Sequence, residues 1–407
     1  MISIIAWRNV WRNKLRSSVI ILAITLGIWS GMIIVGLMTG MTSERLHSAV
    51  AYETSHIQIH KPKFLDNTEL QYFIPNADSI MEVIRKNPKV TATSSRLITG
   101  GMANTAYTGT GIVIMGINPE KEKTVTEIFK TIPDSNGTYF KTKKRYPVVI
   151  GQNLAKKLKA KLKSKIVLTF QDAEGNLTGG AFRVVGIYKT NNSMFDETNL
   201  FVKKRDLAKL LGISDKAAHE IAIMTNGLDL VAPVKNQISK QFPNLLVQQW
   251  EDIQPDLSMV NEYMKAMFFI FMMIILLALG FAIVNTMLMA ILERTRELGM
   301  LMAVGMNKRK IFNMIMFETA YLTIIGGIVG MILSFLTLHY LSANGLDLSI
   351  FAQGLESVGY PSIIYPDVTL SDYLYLTIMI IFTGMLASVY PARKALKKNP
   401  SEAIRTL

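Results

Sequence analysis

The 407-residue chain is 50% hydrophobic and only 18% charged, with 44 Lys and Arg against 30 Asp and Glu and a formal net charge of +14. That is too apolar for an ordinary soluble domain and too polar for a chain made wholly of membrane spans, so both must be present. There is no cysteine, which excludes disulfides, thiolate metal sites and cysteine nucleophiles.

Residues 1–16 predict an amphipathic helix on the cytoplasmic side. Ile4, Ile5, Val10, Trp11 and Leu15 alternate with Arg8, Arg12, Lys14 and Arg16, as in a helix lying among lipid headgroups. Residues 17–43 carry no charge and predict transmembrane helix 1. The run exceeds a signal-peptide core, so an uncleaved anchor is expected.

Residues 44–265 predict a large mixed α/β domain. Strand patterns occur at 55–60, 90–97, 111–117, 147–150, 166–170, 182–188, 199–202, 220–224 and 245–249, each alternating or β-branched. Helices are expected at 78–86, 119–130, 151–160, 204–211 and 228–241, with Asn76 and Ser214 as caps. Residues 171–180 predict a hairpin loop, and the glycine pairs 100–101 and 179–180 are expected in polar turns. The lysines at 156, 157, 159, 161, 163 and 165 read as a solvated face. His56 and His60 share one face of a strand and read as surface residues rather than metal ligands.

Three further uncharged runs, 266–292, 319–346 and 373–392, predict transmembrane helices 2, 3 and 4. Each can cross a hydrocarbon core of about 30 Å at about 1.5 Å per residue. Segment 293–318 is cationic, as are residues 1–16 and the tail 393–407, which includes Lys397, Lys398 and Arg405. The stretch 343–372, including the outer loop 347–372, has no Lys or Arg and holds Asp347, Glu356, Asp367 and Asp372. The excess of positive charge places both termini and 293–318 in the cytoplasm and 44–265 outside. The fold expected is therefore an α-helical membrane protein, one span plus three, with a periplasmic α/β domain inserted between helices 1 and 2.

No catalytic constellation appears. Gly-x-Ser-x-Gly, His-Glu-x-x-His and the phosphate-cradling Gly-x-x-x-x-Gly-Lys-Ser/Thr are all missing from the sequence. No cofactor, metal or nucleic acid is expected on this chain, and an ATP-driven role would need another chain to bind ATP and Mg.

Three stretches carry a resemblance: Ala6–Arg16, Asn285–Ile311 followed by Glu318, and Tyr390–Arg405. In order and placement they resemble the FtsX-like permeases, the family of macrolide-efflux and lipoprotein-releasing ABC permeases. The stretches Gly111–Glu120, Val149–Leu158 and Val184–Tyr188 are similar to those of the lipoprotein-releasing members. The 171–180 loop is shorter than the protruding, carrier-engaging loop of some members and has no proline.

The resemblance implies a permease subunit, not an enzyme, in a multi-pass bacterial inner-membrane complex. Two ABC ATPase subunits and a second permease copy or paralogue would complete it. Its work would be the extraction of lipoproteins toward the outer membrane, with a periplasmic carrier or adaptor as a further partner. Efflux of amphiphilic small molecules and non-transporting control of a periplasmic enzyme are the alternatives. ATPase coupling falls to Arg294, Arg296, Glu297, Leu298, Gly299, Met302, Gly305, Lys308 and Arg309. Glu293 and Glu297 stand at i,i+4, and Leu298, Leu301 and Met302 form an apolar stripe. Substrate or lipid contact is assigned to Met32 and Val35 of helix 1 and to Met264, Met267, Phe268, Phe271 and Met272. A methionine-rich face adapts to varied acyl chains.

The orientation is directly testable in this cysteine-free chain. An impermeant thiol reagent applied to intact spheroplasts should label Asn176→Cys and spare Lys308→Cys; the reverse pattern would invert the topology.

Overall fold

The computed structural model describes residues 2–67, 69–142 and 145–396. The expected tail residues Lys397, Lys398 and Arg405, and the end of the third resemblance stretch, lie outside them. In chain order the elements begin with α1 (Ile2–Arg12) and α2 (Lys14–Ser48). Next come β1 (Ile57–His60), α3 (Ala77–Arg85), β2 (Val90–Asn104), β3 (Gly109–Ile117) and β4 (Pro147–Gly151). Then follow α4 (Gln152–Lys157), β5 (Lys165–Gln171), β6 (Leu177–Tyr188), β7 (Asn199–Lys203) and α5 (Lys204–Leu211). The soluble part ends with β8 (Glu220–Thr225), α6 (Val231–Gln241) and β9 (Leu246–Gln249). The chain continues through α7 (Pro255–Glu293), α8 (Thr295–Ala303), α9 (Lys308–Asn344) and α10 (Leu370–Leu396). Among the described residues, four helices are long and apolar enough to cross a membrane, those beginning at Lys14, Pro255, Lys308 and Leu370.

Two compact units result. Among the described residues, the first holds 2–43, 261–347 and 363–396; the second holds 44–260 and 348–362.

In the first unit, close approach of helices is bought with small residues rather than with hydrophobic force, since lipid is as apolar as the side chains. Gly326 and Gly330 of α9 lie against Ile24 and Ile28 of α2, so near that a Cβ at either would sit 2.8–2.9 Å from an isoleucine Cβ. The Thr25 hydroxyl donates to the Gly326 carbonyl (3.2 Å) and the Trp29 indole donates to Thr337 (3.1 Å). The seam on α2 runs Ile20, Ile24, Ile28 and Met32, all buried. Helix α1 packs on α9: Ala6 and Val10 are buried, and the Trp7 ring meets Tyr321 edge-on at 5.3 Å. Trp7 and Trp11 nevertheless keep nearly half their surface open, as a headgroup-level belt requires.

The second unit contains two sheets sharing one strand. Strands β9-β1-β8-β2 form an antiparallel sheet whose sequence order, with α3 and α6 as crossovers, is the split βαβ pattern of ferredoxin-like domains. Ile57, Ile59, Ile221 and Ile223 pack there against Met81, Ile84, Val234 and Ile238. The second half of β2 enters a closed circuit, β2-β3-β7-β4-β6-β5 and back to β2. Closure removes sheet edges and gives the barrel its own core of Leu97, Ile114, Val148, Ile166, Phe182 and Val202.

Each expected strand is present, β2 and β6 extending well past their expected ends. Several local expectations are corrected. The glycine pairs lie inside β2 and β6, not in turns. A Cβ at Gly101 or Gly179 would fall 2.6 or 2.2 Å from a carbonyl oxygen of β5, so these glycines permit close backbone approach. The hairpin turn narrows to Asp172–Asn176, where the Asp172 carboxylate accepts from the Glu174 and Asn176 amides. The helix expected at 119–130 is a short turn, Pro119–Glu122, and a 3₁₀ segment, Ile128–Thr131. Asn76 makes no side-chain cap, and Ser214 accepts from Lys216 in a turn. His56 and His60 are buried, not on the surface. His56 Nδ1 accepts from the Thr225 amide (3.0 Å), and His60 contacts Gln58 Oε1 (3.0 Å) while Phe64 stacks between it and His219.

Where β2 passes from sheet to barrel, Arg96 is buried between two acids. Its guanidinium donates to Glu122 (2.7 and 3.0 Å) and to Glu220 (2.6 Å), and Ser94 donates to Glu122 (2.6 Å). Burial by itself would weaken the guanidinium's hold on its proton; Glu122 and then Glu220 outweigh it and hold the group above its ordinary value. Arg96→Ala should cost about 3–5 kcal/mol, because two buried carboxylates lose their cation. Urea-dependent limited proteolysis of the full chain measures this, and the triple change Arg96→Met, Glu122→Gln, Glu220→Gln should recover most of the loss.

Candidate functional site

The segment joining α7 to α9 holds the expected coupling residues. It folds as one short helix, α8, closed by a tight turn. The turn has a sequence cause. Gly305 adopts φ +100°, which L side chains rarely accept. Its amide bonds the Met302 carbonyl (3.1 Å) and the Met306 amide bonds that of Leu301 (2.9 Å), the two bonds of a Schellman cap. Asn307 then caps α9 through the Arg309 amide (3.2 Å). No neighbouring atom lies within 4 Å of a Cβ built on Gly305, so within this chain the glycine serves the turn.

The expected residues divide by face. Leu298 and Gly299 are buried, and Leu301 and Met302 pack on the same core. Arg296, Lys308 and Arg309 are exposed, next to the exposed apolar Met300 and Val304, the latter 90% open. The cationic face and two apolar side chains therefore form one outward surface that none of the described residues of the first unit cover.

Arg294 and the half-exposed Glu297 join a network that ties four elements together. Arg12 of α1 donates to both Glu297 oxygens (2.6 and 2.7 Å), and Arg294 Nε reaches Glu297 at 3.3 Å. Arg294 also donates to both oxygens of Glu318 on α9 (3.0 and 3.2 Å), and Arg16 of α2 donates to the same carboxylate (2.8 Å). Arg12, first in this hydrogen-bond set, holds the Glu297 carboxyl below its ordinary value.

The two halves of the network are not equal. Arg12 and Glu297 are both about half exposed, and such pairs contribute about 0–1 kcal/mol. Glu318 is 3% exposed and both its arginines are largely covered, so removing one partner leaves an uncompensated charge. Arg16 and Glu318 are the buried ion pair that sequence reasoning did not assign to the site. The available signal was an acid directly preceding the uncharged run 319–346.

The expected substrate-contact residues are brought together only in part. Met32, Val35 and Met272 are buried in the helix-packing core with Phe268 against it, whereas Met267 and Phe271 face outward. A stripe at helical spacing has here been split between an inner and an outer face of the same bundle. Among the described residues no cluster able to hold a metal ion occurs.

Glu318→Ala should destabilise the first unit by about 3–5 kcal/mol, while Glu297→Ala should cost no more than about 1 kcal/mol. Thermal unfolding in nonionic detergent distinguishes the two. Gly305→Leu should cost about 1–2 kcal/mol through its backbone conformation and place a side chain on the outward surface, whereas Gly305→Asn should be better tolerated.

With this geometry the comparisons with known proteins agree. The FtsX-like permease C-terminal model matches residues 269–400, and the MacB-like periplasmic core domain model matches residues 17–241, more than half of the chain. The chain is 22% identical over 395 residues to the lipoprotein-releasing system transmembrane protein LolC of Buchnera aphidicola, covering 94% of this chain and 92% of that one. It is likewise 22% identical to LolC of Neisseria meningitidis, over 95% of this chain and 92% of that one. The macrolide export ATP-binding/permease protein MacB of Brucella abortus is 24% identical over 55% of this chain and 33% of its own length. Four apolar helices, a periplasmic-type domain between the first and second, and these matches place the chain in the FtsX-like family of ABC transporter permeases.

Proposed function

We propose that the chain is the permease subunit of a transporter that extracts lipoproteins from the inner membrane, driven by ATP hydrolysis in a separate subunit. The observation that carries this reading is the end-to-end match to LolC, through both the spans and the inserted domain. A second reading, efflux of amphiphiles of the MacB kind, is favoured by the periplasmic core model over residues 17–241.

In either case the outward surface of α8 is the ATPase seat. Met300 and Val304 supply apolar contact and Arg296, Lys308 and Arg309 supply charge, which sets the orientation of docking more than its strength. Leu298 and Glu318 hold α8 to the bundle, so a push on the seat moves α1, α2 and α9 with it instead of bending a linker. Both termini and α8 lie in the cytoplasm. ATP and Mg sit in the partner, since this sequence contains no phosphate-cradling loop. A second permease copy or paralogue and a periplasmic carrier or adaptor complete the assembly.

The test is reconstitution of the chain with its ATPase in spheroplast membranes. Lipoproteins should leave the membrane on addition of ATP, and Val304→Asp should weaken ATPase binding without unfolding the chain. Export of small amphiphiles with no lipoprotein release would select the second reading, and ATP turnover by the chain free of other subunits would overturn the division of labour.

A further inference from the structure

The second unit contains an open cavity of about 560 Å³ that the permease reading does not use. It lies between the ferredoxin-like half and the barrel, with β2, the start of α5 and the turns at 118–121 and 215–216 as walls. Six cations line it, Lys121, Lys141, Lys203, Lys204, Arg205 and Lys216, against the three carboxylates of Asp78, Glu120 and Asp215.

The pairing deepens this imbalance. Asp78 is engaged by Lys121 (3.3 Å), and Glu120 by Lys123 (2.9 Å). Among the described residues the remaining five cations form no ion pair within the second unit. Lys204 is the telling one. The residue is only 7% exposed, and its Nζ donates to a neutral partner, the Ser95 hydroxyl (2.7 Å). Asp78 and Asp215 act on it without an ion-pair contact; a buried ammonium lacking a direct ionic partner is costly, and an anion entering the cavity would reduce that cost.

We propose that this cavity binds a phosphate ester, with Lys204 as the central contact and Lys141, Lys203 and Lys216 around it. Lysines converging as point charges from several elements suit a tetrahedral dianion with many acceptor oxygens, whereas a planar carboxylate is best met by an arginine fork. The volume exceeds that of an inorganic ion and falls in the range of small-molecule sites. Ile117, Tyr139 and Phe140 offer an apolar wall for the organic part of the ester. Burial, aided by Lys121, lowers the Lys204 ammonium to about 8, with Asp78 and Asp215 opposing. The bound anion favours the charged form, so binding takes up protons and weakens as pH rises through 8 and above.

Such a phosphate could come from a phospholipid headgroup or from a free ester, and the experiment separates them. The full chain in nonionic detergent at low salt is titrated by calorimetry with sn-glycerol 3-phosphate. In parallel, amine-reactive labelling of Lys216 is compared in nanodiscs of phosphatidylcholine alone and with phosphatidylglycerol. Saturable binding of glycerol phosphate, weakened at least tenfold by Lys204→Met and by the exposed-rim change Lys216→Glu but not by Lys165→Glu, assigns a free ester. Protection only by phosphatidylglycerol, lost in Lys204→Met, assigns a headgroup. Neither response in the parent chain, or responses indifferent to both Lys204→Met and Lys216→Glu, overturns the proposal. Unchanged circular dichroism ensures that each variant is folded.

Discussion

A carboxylate carried into an apolar helix bundle must be neutralised where it stands, and Glu318 imposes that requirement on the first unit. Two arginines from different elements answer it, Arg16 of α2 and Arg294 at the head of α8. Desolvation makes the arrangement intolerant of half measures: with both partners present the charges are satisfied, and with one removed the remainder is stranded. The position of α8 is therefore fixed by electrostatics at one end and by the Gly305 turn at the other. A short helix held in this way is rigidly placed. The ion pair to Glu318 and the packing of Leu298 lie on its buried side, and Arg296, Met300 and Val304 lie on its exposed side.

The second unit solves a related problem with the same chemistry. Strand β2 belongs to two sheets, and at the point of transfer its side chains cannot all find apolar neighbours. Arg96 occupies that point, and its two acids come from the Pro119–Glu122 turn and from β8, one from each direction. The network thus joins the barrel to the ferredoxin-like half through a fixed-geometry fork instead of a sliding apolar contact. The cationic cavity opens beside the same strand, through Ser95, the neighbour of Arg96 in sequence. Adjacent residues of a strand point to opposite faces, so one face of β2 holds the internal ion network and the other presents Ser95 to Lys204.

Much of this was legible because periodicity and exclusion of charge are local properties. The spans follow from uncharged length, and strands such as β5 follow from alternation that burial reproduces residue by residue. The exposed lysines of 156–165 are likewise a local pattern. Errors arose where a residue's role depends on what lies across from it. Gly101 and Gly179 carry the composition of turns, yet they sit in strands because a neighbouring carbonyl leaves no room for a side chain. His56 and His60 alternate as surface residues do, but β1 is central in its sheet and covered on both faces.

The sequence by itself determined the number of apolar helices, the place of the inserted domain and the family, because hydrocarbon admits no unpaired charge and short motifs persist where helices end. Tertiary structure alone decided which charges meet. Arg12 and Glu297 are separated by 285 residues, Arg16 and Glu318 by 302, and Lys204 and Ser95 by 109. Nothing in a local pattern pairs residues so far apart. It took the closing of the bundle on small residues, and of the barrel on β2, to bring each charge to its partner or, in the case of Lys204, to leave it with a hydroxyl and an open cavity.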